Sequence, residues 1–392
     1  MRGETVCIGL VGAGYAAFLH GTAYQRVCKV PICLKTVVDV NLEKAKQIQA
    51  QFGAEQTTDS FDDILKDPEI DVVDLVVPPQ LHAEMIKKAM EAGKHVICEK
   101  PLLGYLGQPG DPEPIGKTVS REVMYQKVLE EMEELRRIVE NGKTQFFYAE
   151  NFIYAAPLQK VAEIIRARKS KILSMKAVTA LKGSSSPLAG EWKFTGGGCF
   201  ARNGVHPLTA LLWLKQQEAH SRGEEIHAVS VTADMGVSTA CLTEREHRHI
   251  SATPVDVEDN AVVSIKFSDG TNAVIYASDT RLGGSRNSID IYCNDTALEC
   301  NLTPTDLLNA YFLDEEGMDG LPIAEMLPTT RGWNKAFVCD DVIRGHSGEL
   351  QHFMECIAGK KSPETNFDLA YETTKLTYAA YLADERGARF LL

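Results

Sequence analysis

The run Val6-Cys7-Ile8-Gly9-Leu10-Val11 is continuously apolar and stops at Gly12-x-Gly14-x-x-Ala17. This junction leaves few folds open. A short unbroken apolar run bounded by glycine suits a strand covered on both faces, the usual state of a parallel sheet. Gly12 permits a tight turn, Gly14 lets backbone come close to a ligand, and Ala17 allows a helix to pack against the strand. The helix start then offers free N–H groups and a partial positive charge to phosphate. A second strand, Leu34 to Val38, ends at Asp39, which lies 22 residues past Ala17. An acid at that spacing suits the adenosine ribose hydroxyls of a dinucleotide. No arginine stands beside Asp39 to hold a 2′-phosphate, which favours NAD over NADP.

The alternation continues. Leu42 to Phe52 reads as a helix closed by Gly53, Phe61 to Leu65 as a short helix, and Val72 to Val77 as a strand. Leu81 to Glu91 follows as a helix closed by Gly93, then His95 to Cys98 as a strand. Strand and helix in turn predict a doubly wound α/β sheet, the Rossmann architecture. Val77-Pro78-Pro79-Gln80-Leu81-His82 and Glu99-Lys100-Pro101 both fall at strand C-termini, where ligands bind in such sheets. Read locally, the first is equally a proline-started helix with a surface histidine, and Lys100 equally an exposed loop lysine.

After Pro101 the rhythm breaks. Gly104 to Pro114 is too rich in glycine and proline for a helix or a central strand. Its length, beginning beside Lys100, suits a substrate lid or a subunit-spanning arm. Ser120 reads as the N-cap of a helix reaching about Val139, and Phe146 to Ala149 as the last strand of the first domain. Past 151 the texture changes. One helix, Leu158 to Arg168, precedes strands at Ile172–Leu181, Ala228–Ala233, Ala261–Phe267, Ala273–Ala277 and Ile289–Tyr292. Ser268-Asp269-Gly270-Thr271 is a hairpin turn between two of them. Helices return at Glu349–Ala358 and Asp368–Ala383. The expectation is a dinucleotide-binding domain over residues 1–150, with an insertion at about 104–123, and an α+β domain over 151–392 with an open, mainly antiparallel sheet.

Of 392 residues, 44% are hydrophobic and 24% charged, with net charge −13 and no long basic cluster. A nucleic-acid surface needs a basic stripe, so none is expected. No stretch reaches the roughly 18 apolar residues of a membrane span, and Val6–Val11 is too short for a secretory leader. Ten cysteines include no CxxC pair. Cys7 and Cys98 sit in apolar runs, as small hydrophobes do, so reduced thiols and a cytoplasmic location are expected. His247-x-His249 lacks a third ligand nearby, and His346 and His352 are off helical i, i+4 spacing, so no metal site is expected.

Trp192-Lys193-Phe194-Thr195-Gly196-Gly197-Gly198-Cys199-Phe200-Ala201-Arg202-Asn203-Gly204-Val205-His206-Pro207 leads into an apolar helix-like segment, Leu208 to Leu214. His206 stands near that helix's start. A helix N-terminus disfavours imidazolium, which suits a proton acceptor. A histidine merely capping the helix is the plain alternative.

GLVGAGYAA, PPQLHAEMIKKAMEAGKHVICEKP, GGGCFARNGVH and the tail from Gly348 together resemble the Gfo/Idh/MocA family, the glucose–fructose oxidoreductase, inositol dehydrogenase and rhizopine-catabolism dehydrogenases. The resemblance covers nearly the whole chain. It implies hydride transfer between NAD(P) and a sugar, glycoside, cyclitol or related carbonyl compound. It also implies a second domain whose open sheet often forms a homo-oligomer interface. By that likeness Lys100 touches the substrate and His206 is the acid/base. Arg202, Asn203 and Tyr105 are placed at the substrate. Gly12, Gly14, Tyr15, Ala16, Asp39, Pro78, His82, Glu99, Lys100 and Trp192 are placed at the cofactor.

Many members carry an aspartate four residues before the histidine, where this chain has Arg202. An arginine there would help stabilise an alkoxide, hold an acidic group of the substrate, or turn to solvent or an acidic neighbour. The GYLG after EKP resembles a subgroup that oxidises the 3-hydroxyl of glucosides. A sugar–sugar oxidoreductase that keeps its NAD, a non-catalytic NAD-binding regulator and an NAD-dependent glycosidase stay open beside the dehydrogenase.

Overall fold

The computed structural model describes residues 5–184, 186–303, 308–312, 332–336, 341–359 and 361–392. The chain divides into two compact units, and not at a single cut near residue 150. The first comprises Met1–Gly104, Gln126–Tyr154 and Gly345–Lys375; the second Tyr105–Tyr125, Ala155–Arg344 and Leu376–Leu392.

The first unit holds strands β1 (Val6–Val11), β2 (Ile32–Val38), β3 (Gln56–Thr58), β4 (Val72–Leu75), β5 (His95–Glu99) and β6 (Phe146–Ala149). They form one sheet in the order β3-β2-β1-β4-β5-β6, parallel at every pairing. Helices α1 (Tyr15–Tyr24), α2 (Leu42–Phe52), α3 (Phe61–Lys66) and α4 (His82–Glu91) are the crossovers. This is the Rossmann order, with a switch point between β1 and β4. β4 and β6 are buried at every position, because helices cover both faces and no position can stay polar without a partner. Leu10, Ala17, Val37, Ala45, Ile48 and Val76 form the core beneath the first crossover. Each such side chain taken fully from water contributes about 1.5–3 kcal/mol if it is large. At Gly12 the turn has no room for another residue. The glycine's φ is +105°, and a Cβ there would lie 2.5 Å from the Val76 carbonyl oxygen. Helix α12 (His346–Gly359) also belongs to this unit: Cys28 N–H donates to Gln351 Oε1 at 2.9 Å.

The second unit contains α7 (Ala156–Arg168), β7 (Ile172–Ala180), α9 (Val205–Arg222), β8 (Ala228–Gly236), β9 (Asn260–Phe267), β10 (Asn272–Ser278), β11 (Arg286–Cys293), β12 (Ala297–Asn301) and β15 (Phe390–Leu391). The strands form one sheet, β12-β11-β7-β10-β9-β8-β15, antiparallel except where β10 meets β7. Single-turn helices α5 (Ile115–Thr118), α8 (Trp192–Thr195), α10 (Glu244–His247) and α11 (Asp341–Arg344), and a ribbon of β13 (Leu308–Phe312) with β14 (Gly332–Ala336), complete it. The boundary between the units falls inside α6 (Arg121–Asn141) and α13 (Phe367–Arg386). Alternation along β9 and β10 buries Ala261, Val263, Ile265, Ala273, Ile275 and Ala277 and turns Val262 and Tyr276, which pair directly, outward. The hairpin turn expected at Ser268–Thr271 is present, with Gly270 at φ +87°.

The segment after Pro101 is anchored along its length. It packs into the second unit: Tyr105 N–H donates to Tyr378 Oη at 2.6 Å, Trp192 Nε1 donates to the Tyr105 carbonyl at 3.0 Å, and Gly116 N–H donates to Asp256 at 2.9 Å. No helix among the described residues is long and apolar enough to cross a membrane.

Candidate functional site

In the first unit a cleft of about 600 Å³ opens at the C-terminal ends of β1, β2 and β4. Gly12, Gly14, Tyr15, Ala16, Asp39 and Pro78 line it, with Val40, Lys44, Asp59, Phe61, Leu81 and Met85. Gly14 is the N-cap of α1, and a Cβ placed on it would meet nothing within 4 Å, so backbone faces open space there. Asp39 is fixed: Oδ2 accepts the Ala13 N–H and Oδ1 the Asn41 N–H, each at 2.8 Å. The two amides hold a carboxylate at the cleft's edge, where a ribose diol can be received. A glycine turn, an open helix start and a fixed acid are the donor set a dinucleotide needs, so the residues fit the group. Two acids, Asp39 and Asp59, outnumber the single cation, Lys44, along this lining.

Lys100 directly follows β5, and its backbone is held from both sides. Its N–H donates to Glu99 Oε2 at 2.9 Å. The carbonyls that follow, of Pro101 and Leu102, face His82 Nδ1 at 3.1 and 3.0 Å, and Nε2 of the same ring faces the Val77 carbonyl at 2.9 Å. His82 is fully buried. Burial pushes its pKa below the ordinary value, against the pull of the Leu102 and Val77 carbonyls.

In the second unit the three glycines 196–198 lie under a carboxylate. Glu258 Oε2 accepts the Gly198 N–H and Oε1 accepts the Phe200 N–H and the Tyr381 hydroxyl, all at 2.9 Å. A Cβ on Gly198 would sit 1.9 Å from the Glu258 carbonyl oxygen. Burial raises the Glu258 pKa, and the N–H donors work against that rise. The clamped loop passes into a π-helical turn, Phe200–Gly204, that runs straight into α9. One wide turn of this kind often marks a functional site, because it re-aims side chains that a regular helix would space evenly. Here Arg202 pairs with Asp279, and Asn203 Nδ2 donates to the same carboxylate at 3.4 Å. The Asp279 side chain is 2% exposed and that of Arg202 17%. Burial lifts the Asp279 pKa, with Arg202 pulling it down. His206 follows in the first turn of α9 and is half-buried.

Residues 6–108 match the model of an oxidoreductase family with an NAD-binding Rossmann fold, and residues 159–299 match the C-terminal domain of the same family. The chain belongs to the Gfo/Idh/MocA oxidoreductase family. Levoglucosan dehydrogenase of Pseudarthrobacter phenanthrenivorans is 38% identical over 106 residues, 25% of this chain and 27% of that protein. The NAD(+)-dependent scyllo-inositol 2-dehydrogenase of Bacillus subtilis is 36% identical over 94 residues, 24% of this chain and 27% of its own length. The match thus spans about a quarter of each of these two relatives. Among solved structures, GenD2 from gentamicin A biosynthesis in complex with NAD matches with a TM-score of 0.79 at 18% identity, over 100% of this chain and 97% of that one. Levoglucosan dehydrogenase in complex with NADH and levoglucosan matches at 0.71 and 21% identity, over 99% of both chains. At these identities the likeness is one of fold.

Set in the Gfo/Idh/MocA frame, the residues singled out from sequence separate into two groups. Gly12, Gly14, Tyr15, Ala16, Asp39 and Pro78 share one cleft. Three others lie outside the lining of that cleft. His82 faces the carbonyls that follow Lys100. Trp192 is 1% exposed, with the Arg121 guanidinium 3.9 Å from its ring centroid and the Tyr381 ring packed edge-on. Tyr105 is 4% exposed, with its hydroxyl donating to Asp111 at 2.5 Å. Both of these rings are packed within the second unit. Glu99 faces inward as well, with both oxygens engaged by His20 and the Lys100 amide.

Asp279 was missed. It lies 77 residues from Arg202, one position past β10, and only the fold joins them. Among the described residues no group of three or more metal-ligating side chains converges.

Proposed function

We propose that this Gfo/Idh/MocA protein is an NAD-dependent oxidoreductase that transfers a hydride between a ring hydroxyl of a sugar, glycoside or cyclitol and nicotinamide. The observation that carries the cofactor half is Asp39, pinned by the Ala13 and Asn41 amides at the edge of the glycine-turn cleft. A carboxylate so fixed accepts hydrogen bonds from a ribose diol and repels a phosphate in the same place. The substrate half is supported by the relatives, which are named for levoglucosan and scyllo-inositol.

When bound, the nicotinamide ring would supply the hydride acceptor. The chain's own residues do the rest. Gly14 and the start of α1 receive phosphate. Lys100 holds the reacting hydroxyl, and His206 takes its proton. Arg202 and Asn203 face the substrate from a turn whose charge Asp279 already neutralises. An anionic substrate group therefore gains little from Arg202, which favours a neutral polyol. The same neutral pair speaks against the regulator reading, because an acid is still present near the position where the family usually carries one. Within this reading we favour oxidation at C3 of a glucoside, a homo-oligomeric enzyme and a reducing cytoplasm. The nine described cysteines, all free, agree with the last.

The test is purified protein with NAD or NADP and a panel of sugars, inositols and glycosides, following absorbance of the reduced cofactor. Turnover with NAD, lost in Lys100→Ala and His206→Ala, supports the reading. Equal use of NADP would overturn the role given to Asp39. Release of aglycone without net reduced cofactor would point to the glycosidase instead.

A further inference from the structure

Asp74 lies in the middle of β4, between Val73 and Leu75, with no exposure at all. A carboxylate in a central strand of a parallel sheet is foreign to the apolar pattern around it and needs a partner. That partner is His20, on α1, also without exposure. Its Nδ1 lies 2.8 Å from Asp74 Oδ2, and its Nε2 lies 3.2 Å from Glu99 Oε1 at the end of β5. Tyr24 donates its hydroxyl to the same Asp74 oxygen at 2.8 Å. The second Glu99 oxygen accepts the Lys100 N–H at 2.9 Å. The chain of contacts is unbroken: Tyr24, Asp74, His20, Glu99, Lys100.

We propose that His20 is a positioning residue for Lys100, acting through Glu99. The proposal rests on the role given to Lys100 above. α1 does two things in it. Its first residues line the dinucleotide cleft, and its second turn carries the ring that braces the strand end bearing the lysine. The helix that would meet the phosphates therefore also sets where Lys100 begins.

Both ring nitrogens face carboxylate oxygens, so both donate and the ring is an imidazolium. Burial opposes that charge, and the Asp74 and Glu99 carboxylates outweigh it, lifting the His20 pKa well above its ordinary value. For Glu99, burial opposes ionisation and the His20 ring outweighs it, holding the carboxyl down at about 2. The helix α12 covers the group with His346, whose ring meets the His20 ring edge-on at 6.4 Å, and with Glu349, which is 1% exposed. Neither Glu349 carboxyl oxygen meets a hydrogen-bond partner among the described residues. Burial, with Glu99, Glu150 and Asp74 nearby, pushes its pKa well up against the pull of the His20 ring. The titratable groups facing His20 are Asp74 from β4, Glu99 from β5 and Glu349 from α12, with Lys100 and His346 beyond Glu99.

The experiment uses the full chain with His20→Gln, Glu99→Gln and the double variant. A glutamine amide can donate to one carboxylate but presents its oxygen to the other. A strand end displaced by the order of an ångström costs about 100-fold in rate. His20→Gln is expected to lower kcat by that order while KM for NAD stays within about threefold. The double variant is expected to lose no more than the worse single one, because both break one path. Losses that multiply, or a fall explained by the folded fraction alone, would overturn the proposal.

Two readouts need no turnover. In the wild-type protein, ¹⁵N-resolved NMR should show N–H signals from both His20 ring nitrogens at pH 7; one signal overturns the imidazolium bridge. Acylation of Lys100 relative to Lys46, read by mass spectrometry, should change by at least about threefold in His20→Gln. If Lys100→Ala leaves turnover intact, the reading of Lys100 fails, and the acylation ratio still decides whether His20 sets its place. An unchanged ratio overturns the positioning role.

Discussion

Replacing Asp279 by alanine removes the carboxylate that pairs with Arg202 and accepts from Asn203 Nδ2. Breaking one side of a buried ion pair costs about 3–5 kcal/mol, because the remaining charge stays out of water without compensation. Arg202 keeps 17% of its side-chain exposure, and Asp279 only 2%. The guanidinium left behind can therefore recover some hydration, which puts the loss at the lower end, about 3 kcal/mol. For a unit of this size that corresponds to a fall in melting temperature of about 6–12 °C. Arg202→Leu should cost more, since the carboxylate it strands is the more deeply buried partner. The double variant Arg202→Leu/Asp279→Leu should return to within about 1 kcal/mol of the wild type, as paired apolar replacements of buried ion pairs do. Arg202→Asp, which restores the acid at the family's usual position, should be the least stable single variant because two carboxylates then face each other. The assay is urea unfolding followed by tryptophan fluorescence: Trp192 and Trp213 are both fully buried in the second unit. A loss below about 1 kcal/mol for Asp279→Ala, or losses that add in the double variant, would refute the reasoning by showing a solvent-screened pair.

Other outcomes are expected. Asp39→Asn, measured by titration calorimetry, should weaken NAD binding by about 1.5–3 kcal/mol, the worth of hydrogen bonds to a charged acceptor, and narrow the gap to NADP. Gly198→Ala should leave little folded second unit, since its Cβ would meet the Glu258 carbonyl at 1.9 Å; circular dichroism melting reads this, and a native-like melt would contradict it. Acid stability should follow Glu99: with its carboxyl held at about 2, below the ordinary 4.5, the stabilisation is full above pH 4.5 and lost as pH falls towards 2. Glu99→Gln should flatten that limb of the pH–stability curve, and an unchanged limb would exclude Glu99 as its source. Val262→Asp, on the outward face of the seven-stranded sheet, should lower the oligomeric state in light scattering if that face is where copies meet.

The parts of the site that sequence reveals are those made by neighbours along the chain. The apolar run, Gly12, Gly14 and Asp39 all belong to one strand–turn–helix–strand unit, and each has a backbone reason to be what it is. The order of the first sheet follows from the same alternation. Arg202 shows the limit. Its departure from the family pattern is plain in the sequence, but the acid that answers it is Asp279, brought in by the end of β10. His82 shows a similar limit: the sequence offers a histidine after a strand end, and only the fold shows the ring buried against the carbonyls of residues 101 and 102. The glycine- and proline-rich stretch after Pro101 suggests a lid because its anchors, Trp192, Asp256 and Tyr378, lie far along the chain. One long-range device did leave a mark. A lone aspartate inside Val72-Val73-Asp74-Leu75-Val76-Val77 is a charge in a strand with no polar face, and such a residue calls for a buried partner. His20 is that partner.

The account stands on direct hydride transfer from a ring carbon to nicotinamide. The measurement that tests it most directly uses a pyranoside or cyclitol deuterated at the carbon undergoing oxidation, with NAD, and mass spectrometry of the reduced cofactor. The account predicts one deuterium on the reduced nicotinamide, a matching ketone in the product, and loss of both in Lys100→Ala and His206→Ala. Reduced cofactor carrying only solvent hydrogen, or a product formed with no deuterium transferred, would contradict it.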